Sequence, residues 1–136
     1  RFAAGALAQH GIKLLIEPIN TLDIPGFFLS GTEQAVQLIA DVGSPNLFIQ
    51  YDIYHMQIME GDIIATIGKH HACFKHYHTA GVPGRNEIGD RQELNYPAIC
   101  RAIRDTGFKG YLAQEFMPAA PDPVASLREA IRLCDV

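Results

Sequence analysis

Short apolar runs and amphipathic stretches alternate along the chain, and this alternation predicts strands and helices in turn. The four runs that predict buried strands are residues 12–17, 47–52, 72–78 and 111–116. Each is followed by a helical pattern, at residues 32–39, at about 62–69, at 96–106 and at 127–134. A strand–helix unit that occurs four times predicts an α/β fold, with a parallel sheet whose strands are joined by crossover helices.

Residues at the ends of these segments predict how the helices begin and stop. Thr32 and Ser126 are suited to cap helix N-termini, because a hydroxyl can accept a hydrogen bond from an unpaired backbone N–H. Gly43 is suited to end the first of these helices. Within the third strand, alternation predicts that His76 and His78 share one face and that Lys75 points toward the helices.

Two architectures fit a parallel sheet of this kind: an open doubly wound sheet, or half of a (β/α)8 barrel. A nucleotide-binding doubly wound sheet carries a glycine-rich phosphate-binding turn after a strand. No G-x-G-x-x-G or P-loop pattern follows any of the four predicted strands. This absence weakens the case for a nucleotide-binding doubly wound sheet, but both architectures remain open at this point.

Every predicted strand has a residue that can bind a metal at or close to its carboxyl end. These residues are Glu17, Asp52, His78 and Glu115. Because ligands of parallel α/β folds bind at the carboxyl ends of the strands, we expect the four side chains to meet. Three carboxylates and one imidazole form an oxygen-rich ligand set that suits Mn²⁺, Mg²⁺ or Co²⁺. A cation is also needed to let three ionised carboxylates lie close together.

Two glutamates beside a divalent metal can move a proton between neighbouring carbons of a hydroxycarbonyl compound. The metal polarises the carbonyl and stabilises the enediolate, while one carboxylate removes a proton and the other returns it. Glu17 and Glu115 are the candidates for this pair. The chemistry is aldose–ketose isomerisation or, when the proton returns to the opposite face of one carbon, epimerisation.

Composition and charge narrow the classes of partner. The chain has 136 residues, a hydrophobic fraction of 48% and a formal net charge of −4, which does not favour a nucleic-acid-binding role. No apolar run approaches the roughly 20 residues of a membrane-spanning helix. The cysteines at positions 73, 100 and 134 have neither zinc-site nor disulfide-scaffold spacing. We expect reduced thiols, a cytoplasmic location and a small-molecule substrate, with no nucleic-acid or membrane partner.

Several sequence blocks resemble the hydroxypyruvate isomerase family. They are Leu-Ile-Glu-Pro-Ile-Asn at 15–20, Asp-Ile-Pro-Gly-Phe-Phe at 23–28, and the run from Gln50 through Tyr-Asp-Ile-Tyr-His-Met-Gln to Asp62. Val-Pro-Gly-Arg at 82–85, Glu-Leu-Asn-Tyr-Pro at 93–97 and Gln-Glu-Phe at 114–116 continue the match in order. The resemblance spans about residues 11–118, and its first two blocks are long enough to be specific.

That family belongs to the xylose isomerase-like TIM barrels, which hold a divalent metal at the top of the barrel. Since its members are about twice this length, the resemblance implies that residues 1–136 are the C-terminal half of a barrel domain, strands five to eight. The N-terminal half would then be missing, and a first residue other than Met agrees with this expectation.

The resemblance also implies roles for individual residues. Glu17 and Glu115 would be both proton-transferring residues and metal ligands, and Asp52 and His78 would complete the metal site. His55 and Arg85 would bind substrate oxygens or a carboxylate. The implied reaction is the isomerisation of hydroxypyruvate to tartronate semialdehyde.

Two positions depart from the family pattern and keep alternatives open. His78 stands where hydroxypyruvate isomerases carry glutamine, and histidine there is typical of ketose 3-epimerases. Gly81 replaces an acidic residue. The alternatives are therefore a ketose 3-epimerase or keto-polyol dehydratase, an apurinic endonuclease-like repair enzyme of the same superfamily, and an inactive half-barrel. A half-barrel with unpaired edges could form a homo-oligomer.

Overall fold

The computed structural model describes all 136 residues and contains one sheet of four parallel strands, in the order β1-β2-β3-β4. The strands are β1 (Leu14–Ile16), β2 (Leu47–Asp52), β3 (Phe74–Thr79) and β4 (Tyr111–Gln114). The helices are α1 (Phe2–Ala8), α2 (Thr32–Val42), α3 (Ile53–Met59), α4 (Ile63–His70), α5 (Tyr96–Asp105) and α6 (Pro123–Cys134). The predicted parallel α/β arrangement is confirmed. No helix is long and apolar enough to cross a membrane.

The hydrophobic core lies between the sheet and the helices. The two central strands supply its centre, with the alternate residues Ile49 and Tyr51 of β2 and with Phe74 and Tyr77 of β3 fully buried. The rings of Tyr51 and Phe74 stack at 4.4 Å. Strand alternation then directs the residues between them to the other face of the sheet, which carries the polar side chains.

The start of α2 differs from the prediction, whereas its end agrees with it. Gly31 is the N-cap residue, and Thr32 is already the first helical residue. The carboxylate of the distant residue Glu60 binds Thr32 twice. The Thr32 hydroxyl donates to Glu60 Oε2 at 2.7 Å, and the Thr32 backbone N–H donates to Glu60 Oε1. Gly43 ends the helix in the left-handed conformation, with φ 62°. A tertiary contact therefore replaces the local cap.

Two further helix starts were not predicted. Helix α3 follows β2 without a loop, since Asp52 ends the strand and caps the helix with its own carboxylate. Helix α6 begins at Pro123, and its cap is Asp122, four residues before the predicted cap Ser126. The Ser126 hydroxyl donates instead to Glu87 Oε1 at 2.9 Å. The prediction for Ser126 was wrong because a carboxylate from another loop accepts its hydrogen.

An irregularity in β3 changes the direction of Lys75. Ile49 pairs with Phe74 and Gln50 pairs with His76, so Lys75 is an extra residue in the ladder. Its Nζ lies 5.2 Å from the centre of the Phe48 ring, not among the helices as alternation predicted. The prediction for His76 and His78 is confirmed, since their rings lie 4.9 Å apart.

Candidate active site

Four side chains converge beyond the carboxyl end of the sheet. They are Glu17, Asp52, His78 and Glu115, and one potential ligand atom from each lies within 4.8 Å of the others. Each side chain comes from a different strand or from the residue directly after it. The structure thus brings together the four residues that the sequence singled out, which we call the candidate metal ligands.

The register of the sheet explains why these residues meet. Asp52 at the end of β2 pairs with His78 in β3, so the two side chains start from neighbouring positions. Glu115 continues the ladder beyond β4, where its N–H donates to the Thr79 carbonyl at 2.9 Å. Parallel strands place their carboxyl ends at one edge, so residues distant in sequence become neighbours.

The two carboxylate oxygens of Asp52 have different contacts: one caps helix α3, and the other faces the candidate metal site. Its Oδ1 accepts the backbone N–H groups of Tyr54 at 2.8 Å and His55 at 3.4 Å, at the start of α3. Its Oδ2 lies 3.2 Å from Arg85 Nη2. The residue is 1% exposed. Burial raises the pKa of its carboxyl to about 6, although Arg85 and the Tyr54 N–H act in the opposite direction.

Glu17 is held by a neighbouring amide. Gln50 donates from Nε2 to Glu17 Oε2 at 2.7 Å, and the same nitrogen lies 3.5 Å from His78 Nδ1. Burial raises the pKa of Glu17, and the negative charges of Asp52 and Glu115 raise it further. A carboxylic group whose pKa is raised in this way is suited to accept and donate protons.

The pKa of Glu115 is shifted in the opposite direction to that of Glu17. Glu115 Oε2 lies 2.7 Å from His78 Nδ1 and 2.7 Å from Arg85 Nη2. Burial alone would raise its pKa, but the combined contacts with His78 and Arg85 outweigh burial and lower it. Without a bound cation, the two glutamates thus differ in proton affinity because burial and Asp52 raise the pKa of Glu17, whereas His78 and Arg85 lower that of Glu115.

Arg85 reaches the site from the loop between β3 and α5. Its backbone is left-handed, with φ 57°, and its guanidinium lies 5.1 Å from the centre of the Tyr54 ring. The side chain bridges Asp52 and Glu115. The structure therefore places this predicted substrate-binding residue directly against two candidate metal ligands.

His55 lies on α3 and is 2% exposed. Its Nε2 is 3.5 Å from Asp52 Oδ2, while Nδ1 is 2.7 Å from the side-chain nitrogen of Asn20. Burial lowers the pKa of His55 to about 4, and the nearby positive charge of Arg85 contributes. The ring is accordingly neutral near pH 7 and can donate from only one nitrogen.

The candidate metal ligands suit a hard divalent cation. Three carboxylates and one imidazole nitrogen match the ligands that Mn²⁺, Mg²⁺ and Co²⁺ accept, and no cysteine belongs to the cluster. Burial raises the pKa of Glu17, and the charges of Asp52 and Glu115 add to this shift, so a bound cation would stabilise the ionised carboxylates. The residues therefore fit the metal that the sequence predicted.

Four residues of the site were not predicted from the sequence: Asn20, Asp23, Gln50 and Tyr54. Strand alternation could have identified Gln50, which lies two residues before Asp52 and hence on the same face. Asn20 and Asp23 lie in the loop after β1, where no periodic pattern indicates direction. Their contacts with Tyr54 and His55 depend on how this loop packs on α3.

Two curated relatives are similar over most of the chain. A hydroxypyruvate isomerase of Escherichia coli K12 is 47% identical over 118 residues, which are 87% of this chain and 45% of the relative. A 2-oxo-tetronate isomerase of Cupriavidus necator is 42% identical over 88% of this chain and 45% of its own length. The chain thus spans about half the length of the curated relatives it matches.

A solved structure and a family model agree with these matches. The crystal structure of a Brucella melitensis protein, described as an AP endonuclease of family 2, has a TM-score of 0.85 and 41% identity. The match covers 88% of this chain and 46% of that one. The family model described as xylose isomerase-like TIM barrel matches residues 1–135. With its parallel strand–helix units and this match over nearly all of its length, the chain belongs to the xylose isomerase-like TIM barrel family.

Proposed function

We propose that this chain carries the catalytic residues of a metal-dependent isomerase that converts hydroxypyruvate to tartronate semialdehyde. The observation that carries the proposal is the convergence of Glu17 and Glu115 with Asp52 and His78 within 4.8 Å. The two isomerase relatives, at 47% and 42% identity, support this reaction class. We further propose that the four strands correspond to strands five to eight of the barrel.

Glu17, Asp52, His78 and Glu115 would hold the metal. When bound, a divalent cation polarises the substrate carbonyl and stabilises the negative charge of an enediolate. Gln50 would keep Glu17 in position, since its amide already holds one carboxylate oxygen at 2.7 Å. Removal of the metal is therefore expected to abolish turnover.

The two glutamates would transfer the protons. One carboxylate removes a proton from C3 of hydroxypyruvate and leaves an enediolate, and the other delivers a proton to C2. The hydroxyl proton of the C3 oxygen ends on the C2 oxygen, so C3 becomes an aldehyde and C2 a secondary alcohol. No atom is gained or lost. The different proton affinities of Glu17 and Glu115 support distinct roles for the pair.

Arg85 and His55 would bind the substrate. A guanidinium can hold a carboxylate through two parallel hydrogen bonds, and the Arg85 guanidinium lies at the site opening with the side chain 25% exposed. His55 would donate to a substrate oxygen from Nε2, the nitrogen that faces Asp52. A binding site with a guanidinium for a carboxylate and an imidazole for a second oxygen suits a small 2-oxo acid better than a neutral sugar.

One observation favours a second candidate, a ketose 3-epimerase. His78 is one of the four candidate metal ligands, and histidine at this position is typical of those epimerases. Both reactions pass through an enediolate, so the metal site alone does not separate them. The two reactions differ in their substrates: hydroxypyruvate has a carboxylate that Arg85 can bind, and a ketose does not.

The decisive experiment is a substrate comparison with Mn²⁺-loaded protein. Hydroxypyruvate, a 2-oxo-tetronate, free ketoses such as fructose and psicose, and duplex DNA with an abasic site are tested in parallel, with chelator-treated protein as the control. We expect turnover of hydroxypyruvate that is lost with the metal. Turnover of ketoses alone would favour the epimerase, and cleavage of abasic DNA alone would reject both proposals.

A further inference from the structure

We propose that Asn20 is a positioning residue that fixes the tautomer of His55, so that Nε2 carries the proton and faces the candidate metal ligands. Asn20 is fully buried in the loop after β1, at 0% exposure. Its side-chain nitrogen lies 2.7 Å from His55 Nδ1. The inference deepens the proposed function, on which its catalytic consequence rests.

The orientation of the Asn20 amide is determined by two contacts with Asp23. The backbone N–H of Asp23 donates to Asn20 Oδ1 at 2.7 Å, so the oxygen must lie on that side. Asn20 Nδ2 donates to the Asp23 carboxylate at 3.0 Å. A carboxylate can only accept, so a reversed amide would lose both bonds. The nitrogen is therefore the atom that faces His55.

Two N–H groups of Asn20 then point to the same atom of His55. The backbone N–H lies 3.4 Å from Nδ1, in addition to the side-chain nitrogen. Both are donors, so Nδ1 must present its lone pair. In a neutral imidazole the proton is then on Nε2, which lies 3.5 Å from Asp52 Oδ2.

The same loop also supports Arg85. The Tyr54 hydroxyl donates to Asp23 Oδ2 at 2.7 Å, and the Arg85 guanidinium lies over the Tyr54 ring. Asp23 thus connects to His55 through Asn20 and to Arg85 through Tyr54. Through Asn20 and Asp23, the β1–α2 loop that carries Glu17 also positions both candidate substrate-binding residues.

The tautomer can be measured directly by NMR of protein labelled with ¹⁵N-histidine, with His55→Gln used to assign the signal. We expect an unprotonated Nδ1 and a protonated Nε2 in the unmodified protein. The double variant Asn20→Asp/Asp23→Asn exchanges amide and carboxylate within the pair. It places an acceptor opposite Nδ1, and we expect the proton to move to Nδ1. The single variant Asp23→Asn is the control and should keep the original tautomer.

The catalytic readout is separate from the spectroscopic one. We expect the double variant to lose about 10- to 100-fold in kcat/KM for hydroxypyruvate, by analogy with residues that orient metal-ligating histidines. A protonated Nδ1 in the unmodified protein would overturn the inference even if the double variant fails to fold, as would an unchanged tautomer in a folded double variant. Absence of turnover in the unmodified protein with an unprotonated Nδ1 would reject only the proposed function.

Discussion

Arg85 Nη2 lies 2.7 Å from Glu115 Oε2, so a guanidinium shares a carboxylate with the candidate metal site. The same nitrogen is 3.2 Å from Asp52 Oδ2. Arg85 therefore neutralises part of the carboxylate charge that would otherwise attract a cation. Metal binding and the arginine contacts are coupled through these two oxygens.

This coupling gives a prediction for metal affinity. We expect Arg85→Gln to bind Mn²⁺ about two- to fivefold more tightly, because a partly exposed ion pair contributes up to about 1 kcal/mol and the competing cation is removed. Calorimetric titration measures the dissociation constant. Arg91→Gln removes the same charge from an exposed position of the same loop and should leave the affinity unchanged. Weaker binding by Arg85→Gln would contradict the competition.

The two glutamates are expected to be separable by isotope exchange. Glu17→Gln and Glu115→Gln should each lower kcat by about 10²- to 10⁴-fold, since an amide cannot transfer the proton. In D₂O, the variant that lacks the first base should also lose deuterium exchange at C3 of hydroxypyruvate, whereas the other should retain it. Glu33→Gln, at an exposed position, is the control. Near-normal turnover in either site variant would exclude the two-glutamate mechanism.

Substitutions at Asp52 should separate its role as the N-cap of α3 from its role as a metal ligand. Asp52→Asn retains an oxygen for the α3 N-terminus, so we expect metal-free stability equal to or above that of the unmodified protein together with loss of Mn²⁺ binding. Asp52→Ala should lose about 1 kcal/mol of unfolding free energy with the cap. Urea denaturation checks both. Asp122→Ala removes the cap of α6 and should destabilise the protein without affecting metal binding.

Glu87 is expected to make one loop sensitive to acid. Its Oε1 accepts the backbone N–H groups of Ala119 and Ala120, at 2.9 and 3.0 Å, and these and other hydrogen bonds lower its pKa to about 2. A lowered folded-state pKa gives stabilisation that is present above the ordinary value of 4.5 and is lost as the pH falls toward 2. The protection of the amides at 119 and 120 from hydrogen exchange, measured relative to their intrinsic rate at each pH, should fall across that window.

The control for this prediction is Asp90→Asn, which alters an exposed carboxylate of the same loop. Glu87→Gln should accelerate exchange at 119 and 120 already at neutral pH, because a neutral amide oxygen is a weaker acceptor than a carboxylate. Protection factors at 119 and 120 that stay constant between pH 5 and pH 2 in the unmodified protein would show that Glu87 does not hold this segment.

The sequence by itself determined the order of the four strands, the helices α2, α4, α5 and α6 between and after them, and the four residues at the strand ends. Period-two alternation and apolar runs depend only on neighbouring residues, so β2 was predicted at its observed bounds, Leu47–Asp52. Because parallel strands end at one edge, the convergence of Glu17, Asp52, His78 and Glu115 also followed from chain order.

Only the tertiary structure decided the contacts between loops and distant elements. Thr32 bonds to Glu60, and Ser126 bonds to Glu87, because a carboxylate distant in sequence accepts each hydroxyl proton. Lys75 does not point toward the helices as predicted, because it is itself an extra residue in the β2–β3 ladder. Asn20 reached His55 through the packing of a loop that has no periodic pattern. Local preferences are worth about 1 kcal/mol or less, so a charged or buried partner from elsewhere in the fold outweighs them.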